Sequence, residues 1–329
     1  MKAVIITRPG GPEVLQVREV SEPKPGAEEI LVRVRASALN RADLLQRQGR
    51  YPPPPGAPQE IPGMDFAGEV AQNGRGARRW QSGQRVFGIV PSGAHAEYLV
   101  THERAVAEVP ANLSWAEAGA VPEVFITAHD ALWKQARLQP GENVLIPAVG
   151  SGVGLAGLQL ARARGATAFG TSRTPDKLDR AKRFGMNDGM VVRDSFAALA
   201  EKARQWTDGK GFDVVLDLVG GPYVAASVEM MALRGRIILV GTVAGSCAEL
   251  NLARVMSKRL ELRGTVLRAR PLEEKVAVTE AFAAEVVPLL ASRTLRPVID
   301  SEFPLPQIQA AHRRLEADET FGKVVLLVA

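Results

Sequence analysis

The sequence predicts an α/β protein built from a β-rich N-terminal part and a doubly wound parallel sheet. Short segments of strand character, separated by glycines, recur up to about residue 120, which is typical of a small barrel or sandwich. From residue 142 onward, strand and helix patterns alternate, as they do in parallel sheets with right-handed crossovers. A length of 329 residues suits two domains better than one core.

Composition excludes several classes of protein. Hydrophobic residues make up 46% of the chain, which favours a folded protein with a sizeable core. The single cysteine, Cys247, excludes an internal disulfide framework, so we expect a reducing, cytoplasmic setting. We also expect neither a signal peptide nor a membrane span, because no apolar run approaches roughly 18 residues.

The distribution of charge does not favour nucleic acid as the main partner. The net charge is +5, but the arginines are scattered, and no basic helix or aromatic-interleaved stripe is present. A basic solvated surface is the simplest interpretation. A positive potential that attracts a phosphorylated cofactor is the sharper one.

The β-rich part is predicted from alternating or apolar runs bounded by turn residues. A capping box formed by Ser114 and Glu117 then begins a helix. The strands predicted before it are 3–7, 29–38, 65–71, 84–87 and 95–101.

The alternating part begins with a strand at 142–147 and a helix that extends to about residue 164. Pro175 at a first helical position starts the next helix, and Gly185 ends it. The helix predicted at 305–317 has no strong apolar stripe, so we expect it on the surface. The other predicted elements are strands 166–171, 190–193, 212–218, 236–240 and 323–328 and helices 195–206 and 273–290.

A glycine-rich turn after the first parallel strand predicts a dinucleotide site. The turn runs from Ala148 through Ser151 to Gly154 and has no bulky side chain near its apex, so a diphosphate could approach the backbone. The N-terminus of the following helix would face that anion. The pattern is a weak signal alone and gains weight from a ribose-reading residue about 20 positions further on.

The end of the second parallel strand predicts NADP rather than NAD. An NAD site carries a carboxylate there, which binds the ribose 2′-hydroxyl. Here Ser172 and Arg173 end the strand, Arg173 lies 19 positions after Gly154, and Lys177 follows one helical turn on. Hydroxyl and cationic donors suit a 2′-phosphate. The alternative is a solvated loop arginine and an exposed lysine.

The sequence predicts no metal site. Cys247 stands alone and the histidines lack metal-ligand spacing, so we interpret them as surface or satisfied core residues. With no ligand set for a Lewis acid that would ionise an alcohol, reduction of an already electrophilic substrate is favoured. The histidines are His95, His102, His129 and His312.

Residues 38–49 (ALNRADLLQRQG) and 51–56 (YPPPPG) resemble a known family, the zinc-free quinone oxidoreductases of the medium-chain dehydrogenase/reductase superfamily. The resemblance is to the tumour-suppressor-inducible quinone oxidoreductase branch in particular, with zeta-crystallin as a more distant relative. Met64 and Asp65 stand where zinc-dependent relatives carry histidine and glutamate, and Asn40 stands where they carry a catalytic cysteine.

This resemblance implies a domain arrangement. A GroES-like substrate domain would span 1–120, a Rossmann NADP-binding domain 121–262, and a C-terminal segment, 263–329, would return to the first domain. The active site would lie in the cleft between the domains. The resemblance also implies a homodimer that pairs edge strands of two Rossmann sheets.

The resemblance also implies roles for individual residues. Asn40, Asp43, Tyr51 and Thr127 would face the nicotinamide or the substrate. The residues implied around the NADPH cofactor are Ala148, Ser151, Gly152, Val153, Gly154, Ser172, Arg173, Lys177, Gly241, Thr242, Leu267 and Lys323.

Simpler roles remain open for the four residues expected near the substrate. Asn40 could stabilise a turn, and Asp43 could cap a short helix or bind neighbouring backbone. Tyr51 could belong to a surface loop packed on itself, although the prolines after it would also hold it as a stiff aromatic rim. Thr127 could donate its hydroxyl back to its own helix.

The expected activity is zinc-independent hydride transfer from NADPH to a quinone or a related conjugated carbonyl. One alternative is an enone, alkenal or enoyl-thioester reductase. An alternative from another class is an NADPH-binding structural or RNA-binding protein with little turnover.

Overall fold

The computed structural model describes residues 1–193 and 195–328, and the chain divides into two compact units. Unit 1 comprises Met1–Ile126 and Leu267–Ala329, and unit 2 comprises Thr127–Val266. The domain limits read from the sequence, at 120 and 262, stay a prediction.

Each predicted strand overlaps an observed one. In chain order the observed strands are β1 (Lys2–Ile6), β2 (Leu15–Glu19), β3 (Glu29–Ala38), β4 (Asp65–Asn73), β5 (Arg85–Ile89), β6 (Tyr98–His102), β7 (Val106–Glu108), β8 (Asn143–Ile146), β9 (Thr167–Ser172), β10 (Met186–Val191), β11 (Phe212–Asp217), β12 (Met231–Leu239), β13 (Glu261–Gly264), β14 (Ile299–Pro304) and β15 (Lys323–Leu327). Of these, β2, β7, β13 and β14 were not predicted.

The helices connect these strands. In chain order they are α1 (Arg41–Arg47), α2 (Trp115–Gly119), α3 (Pro122–His129), α4 (Gly152–Ala163), α5 (Pro175–Ala181), α6 (Ala197–Trp206), α7 (Pro222–Met230), α8 (Leu252–Lys258), α9 (Leu272–Glu285), α10 (Val287–Ala291) and α11 (Ile308–Glu316). Across the described parts of the chain, none of them is both long and apolar enough to traverse a membrane.

The sheet of unit 1 is assembled from segments that are far apart in the sequence. In the described residues its strand order is β14-β15-β3-β4-β5-β7, β6 pairs with β3, and β1 and β2 form a separate pair. β15 runs antiparallel to β3, with Val325 opposite Ala38. Because β3 ends at Ala38, this register brings Lys323 beside Leu39 and Asn40.

The sheet of unit 2 is parallel and confirms the predicted Rossmann architecture. Its strand order, as far as the chain is described, is β10-β9-β8-β11-β12-β13, and each neighbouring pair is parallel. The order reverses between β8 and β11. Ligands of such sheets bind beyond the carboxyl ends of the strands at this switch point, which is where the glycine-rich turn begins.

Each unit has its own apolar core. In unit 1, Val32, Val34 and Phe66 of the central strands are fully buried in one cluster. In unit 2, Leu145 and Phe212 are fully buried in another. The sites described below are therefore positioned by packed strands.

The expectation that the helix after β14 lies on the surface is wrong. Ile308, Ala311 and His312 of α11 are buried, and Leu315 packs against the core of unit 1. The apolar positions are spaced three to four residues apart, so they form one narrow helical face that packs on the sheet.

Candidate active site

The glycine-rich turn of unit 2 joins β8 to α4. Ser151 is the N-cap of α4, and its Oγ accepts a hydrogen bond of 3.1 Å from the Gly154 amide. A Cβ atom on Gly154 would lie 2.7 Å from the Val149 carbonyl oxygen and 2.9 Å from that of Ala148. Position 154 therefore requires glycine, because any side chain would collide with backbone.

The backbone of this turn is suited to an anion. Ala148 has a φ of +53°, a left-handed conformation that is uncommon for residues other than glycine. Gly152 and Val153 are half-buried in the first turn of α4, where helix N–H groups have no intrahelical acceptor. The turn can therefore offer backbone donors to a diphosphate.

The end of β9 carries the residues predicted to hold the 2′-phosphate. Ser172 is mostly buried, and its Oγ accepts from the Thr174 amide at 3.2 Å. Arg173 is exposed, and its carbonyl oxygen accepts from Arg193 Nε at 3.2 Å, so a second guanidinium lies next to it. Lys177 is half-buried in the first turn of α5. A donor set of hydroxyl, guanidinium and ammonium groups fits a phosphate monoester.

Three weaker cofactor candidates lie in loops. Gly241 and Thr242 follow β12, and a Cβ atom on Gly241 would lie 2.6 Å from the Leu218 carbonyl oxygen. Leu267 belongs to unit 1, where it lines a small apolar cavity with Ile126. Contact of these residues with a cofactor stays a prediction.

Asn40 lies between β3 and α1, and its side-chain amide is held on both sides. Its Nδ2 donates to Asp65 Oδ2 at 2.9 Å, and its Oδ1 accepts from Lys323 Nζ at 2.6 Å. Asn40 is also the N-cap residue of α1, and its backbone N–H group donates to Asp43 Oδ2. The side chain therefore links the turn to β4 and β15.

Lys323 is 4% exposed, and all three of its N–H donors have acceptors in unit 1. Besides Asn40 Oδ1, Nζ donates to Leu39 O at 2.9 Å and to Asp65 Oδ2 at 2.7 Å. A direct hydrogen bond from Lys323 to NADPH would have to displace one of these acceptors. Its predicted contact with the cofactor stays a prediction.

Asp43 is fully buried in α1. Its Oδ2 accepts from the backbone N–H group of Asn40 at 2.7 Å, and its Oδ1 accepts from the backbone N–H group of Gly63 at 3.1 Å. Burial raises the pKa of this carboxyl group. These contacts support the helix-capping alternative, and contact of Asp43 with a substrate stays a prediction.

Asp65 and Glu123 are two acidic residues that lie beside Lys323 and Asn40. Asp65 is fully buried at the start of β4 and accepts a hydrogen bond from the Glu123 amide. Glu123 Oε2 is sequestered from solvent and has no hydrogen-bond partner among the described residues. Burial and then the neighbouring Asp65 carboxylate raise the pKa of Glu123 to about 8, with Lys323 opposing them. Glu123 is therefore mainly protonated at neutral pH.

Tyr51 is half-buried and stacks on an arginine. Arg268 is 4% exposed, and its Cζ lies 4.7 Å from the centre of the tyrosine ring, a cation–π arrangement. Arg268 also donates to Tyr51 O at 3.0 Å, to Pro91 O at 2.6 Å and to Gln46 Oε1. The arginine therefore covers one face of the ring. Contact of Tyr51 with a substrate stays a prediction.

Thr127 lies in α3 and is 6% exposed. Its Oγ1 has no hydrogen-bond partner within the described parts of the chain, so the predicted alternative, a bond to its own helix, is not observed there. A buried hydroxyl without a partner is unfavourable. A ligand or a water molecule would satisfy it.

His95 and His312 are core residues that are only half satisfied. His95 Nδ1 lies 2.8 Å from Ser37 Oγ, and His312 Nδ1 lies 3.3 Å from Arg47 Nη1. The Nε2 atom of each has no partner among the residues described. Burial lowers the pKa of His95 to about 3 and that of His312 well below its ordinary value. In residues 1–193 and 195–328, no group of three or more His, Cys, Asp or Glu side chains is placed to hold a metal ion.

The structure brings Asn40, Asp43 and Lys323 together in unit 1, around residues that the sequence did not identify as functional. Asp65 could have been suspected, because it is an acid at the start of an apolar strand. Arg268 carries no local signal, since its partners are far away in the sequence.

Two family models match the chain. The alcohol dehydrogenase GroES-like domain matches residues 26–136, and the zinc-binding dehydrogenase family matches residues 152–284. Both models are consistent with the architectures of units 1 and 2.

Known proteins resemble the chain over nearly its whole length. A quinone oxidoreductase from Pseudomonas aeruginosa is 33% identical and is covered to 97%, as is this chain. The structure of Escherichia coli quinone oxidoreductase complexed with NADPH has a TM-score of 0.88 at 29% identity, covering 99% of this chain and 100% of that one. The apo form of JamJ enoyl reductase has a TM-score of 0.89 at 25% identity, covering 100% of this chain and 99% of that one.

Proposed function

Because the chain belongs to the quinone oxidoreductase family, with the domains of the medium-chain dehydrogenase/reductase superfamily, we propose that it is an NADPH-dependent reductase. Its substrates are quinones or related conjugated carbonyls. When bound, NADPH supplies a hydride, that is, one proton and two electrons, and a further proton from solvent completes the hydroquinone.

The observation that carries the cofactor assignment is the donor set at the end of β9. Ser172, Arg173 and Lys177 supply hydroxyl and cationic groups where an NAD site needs a carboxylate. Arg193 adjoins Arg173 and adds positive charge. Together these groups favour a ribose that carries a 2′-phosphate.

The protein supplies binding, orientation and hydrogen bonds. The turn from Ala148 to Gly154 offers backbone donors to the diphosphate. Asn40, Tyr51 and Thr127 are the proposed groups around the nicotinamide and the substrate. Each has either a polar group or an aromatic surface that its protein contacts leave partly unused.

Cofactor titration and steady-state turnover test this proposal. We expect NADPH to bind much more tightly than NADH, and Arg173→Asp to narrow or invert the gap by roughly 10–100-fold, the effect of one charged hydrogen bond. Arg204→Asp, an exposed arginine in α6, is the matched control. If Arg173→Asp leaves the ratio of the NADPH and NADH dissociation constants unchanged, the assignment is wrong. Quinone-dependent NADPH oxidation by the wild type tests the reaction itself.

A second candidate is an enone, alkenal or enoyl-thioester reductase. The likeness to an enoyl reductase structure supports it. The same assay with ortho- and para-quinones, 2-alkenals and crotonyl thioesters separates the two. Turnover of thioesters without turnover of quinones would favour this candidate.

A third candidate is an NADPH-binding structural or RNA-binding protein. It predicts cofactor binding, no turnover on any electrophile, and RNA retention that weakens with salt. The scattered arginines do not favour it. Turnover on any of the electrophiles above would eliminate it.

We further propose a homodimer formed through β13 and a cytoplasmic location. β13 ends the strand order of the described sheet, and Leu262 on it is 48% exposed. An edge strand with an exposed leucine is suited to pairing with a second copy. The location rests on the single cysteine, and fractionation of cells expressing the protein would test it.

A further inference from the structure

The orientation of the Asn40 amide is determined by its partners. Lys323 is an ammonium group that only donates, and Asp65 is a carboxylate that only accepts. With Oδ1 toward Lys323 and Nδ2 toward Asp65, both contacts are hydrogen bonds, of 2.6 and 2.9 Å. The flipped amide would place donor against donor and acceptor against acceptor. The partners therefore hold the amide oxygen of Asn40 toward Lys323 and its NH₂ group toward Asp65.

Lys323 is held as firmly as the amide that it orients. Its other two donors are bound by Leu39 O and by Asp65 Oδ2, and its side chain is almost fully buried. Asp65 is held in turn by the Glu123 amide on its other oxygen. Lys323 therefore cannot move away from Asn40 without leaving a buried carboxylate unpaired.

One N–H group of Asn40 remains weakly used. Its Nδ2 carries two hydrogens, and besides Asp65 the only other acceptor within the described residues is Ala38 O, at 3.4 Å. This contact is longer than a good hydrogen bond. The side chain is partly exposed, so this N–H group is available to a ligand.

We propose that Lys323 is a positioning residue that fixes Asn40 as a hydrogen-bond donor to the substrate oxygen. The inference rests on the proposed function, since reduction of a carbonyl builds negative charge on that oxygen. A fixed N–H group stabilises such charge, whereas an amide oxygen in the same place would repel it. Asn40 donates a hydrogen bond and transfers no proton.

Exchanging the side chains of residues 40 and 65 (Asn40→Asp with Asp65→Asn) keeps the net charge of the site. The thermal unfolding of this double variant and of its Asn40→Asp single variant tests the orientation without an assay of activity. Asn40→Asp should lower the melting temperature by roughly 5 °C or more, because it places two carboxylates against each other. Adding Asp65→Asn should restore part of the loss, because residue 65 can then donate to residue 40 and the new carboxylate at residue 40 takes over the ion pair with Lys323 that residue 65 gives up. A double variant no more stable than Asn40→Asp would overturn the orientation.

The exchange variant also tests the donor role. It keeps the charges of the cluster but has no N–H group on the side chain of residue 40. We expect quinone kcat/KM to fall roughly 100-fold, as when an oxyanion donor is removed, while the NADPH Kd, measured by fluorescence, changes less than roughly threefold. A kcat/KM within threefold of the wild type would contradict the donor role.

The pair Lys323→Met and Asp65→Asn/Lys323→Met tests the positioning role. The single variant leaves Asp65 buried without a cation and should be strongly destabilised. The double variant should recover the melting temperature but not kcat/KM, because Asn40 loses its anchor. Recovery of both would show that Lys323 is only structural.

Two controls complete the design. Arg35→Met/Glu69→Gln removes an ion pair of 2.8 Å between β3 and β4 that does not contact Asn40, and should leave kcat/KM unchanged. Quinone reduction by the wild type separates the proposed function from the proposed orientation of Asn40. If the wild type shows no turnover, the proposed function fails, whereas the unfolding experiment still decides the orientation.

Discussion

The candidate site of unit 2 consists mainly of backbone groups, whereas that of unit 1 consists mainly of side chains. In unit 2, the turn at 148–154 relies on backbone: a left-handed residue, a helix N-terminus and a glycine that admits no side chain. In unit 1, the site consists of the buried charged side chains of Asp65 and Lys323 and of the half-buried amide of Asn40, all three in mutual contact. The first kind of site depends on local geometry and the second on charge balance.

This difference determines how each site responds to change. A backbone site is sensitive to added volume and indifferent to pH, because peptide groups do not titrate in the physiological range. A site of buried charges is sensitive to pH and to the loss of any one partner. Three experiments test this difference: one changes a buried acid, one adds volume to the turn, and one adds a surface charge.

The largest effect on the free energy of unfolding is expected from the titration of Glu123 in unit 1. The pKa of Glu123 is raised from 4.5 to about 8 in the folded protein. Its contribution to stability is therefore complete below pH 4.5 and is lost as the pH rises through 8. Glu123→Gln resembles the protonated acid, so the loss between pH 6.5 and 8 should disappear in urea unfolding.

His95 opposes Glu123 on the acid side. Its pKa falls from 6.5 to about 3, so its contribution is present above pH 6.5 and is lost as the pH falls toward 3. Between pH 4.5 and 6.5 the two slopes oppose each other, and Glu123→Gln should reveal the histidine slope. Glu108→Gln, at an exposed position in β7, is the control. The same alkaline loss in Glu123→Gln as in the wild type would contradict this account.

A smaller effect is expected from added volume in unit 2. Gly154→Ala places a Cβ atom within 2.9 Å of two carbonyl oxygens, so the turn must shift. We expect a loss of about 1–3 kcal/mol in unfolding free energy and NADPH binding weakened by roughly tenfold or more. Gly264→Ala, where a Cβ atom meets nothing within 4 Å, should stay within about 0.5 kcal/mol. Unchanged NADPH affinity in Gly154→Ala would refute the backbone role.

The smallest effect on folding is expected from surface charge on β13. Leu262→Lys should change the unfolding free energy of the monomer by less than about 0.5 kcal/mol. It should nevertheless shift the mass in sedimentation from two chains to one, because a charge blocks edge pairing. Leu272→Lys, at an exposed position in α9, should remain dimeric. A dimer that persists in Leu262→Lys would exclude this edge.

The sequence predicted the part of the molecule that is encoded at short range. The alternation of strands and helices from residue 142 onward repeats over short βαβ units, and the turn at 148–154 lies within the first of them, where spacing has structural meaning. The role of Ser172 and Arg173 at the end of β9 stays a prediction. The charge cluster was not predictable in this way, because Asp65 and Lys323 are 258 residues apart. The amphipathic face of α11 was missed because it rests on few residues.

The pairing of β15 with β3 has a consequence for protein synthesis. Unit 2 is continuous, so a ribosome has delivered all of it once Val266 has emerged. Asp65 is made early and cannot meet its cation until Lys323 has been added. Domains generally fold as units during translation. We therefore expect unit 2 to fold before unit 1 is complete, with the region around Asp65 exposed to water and to chaperones until Lys323 has been added.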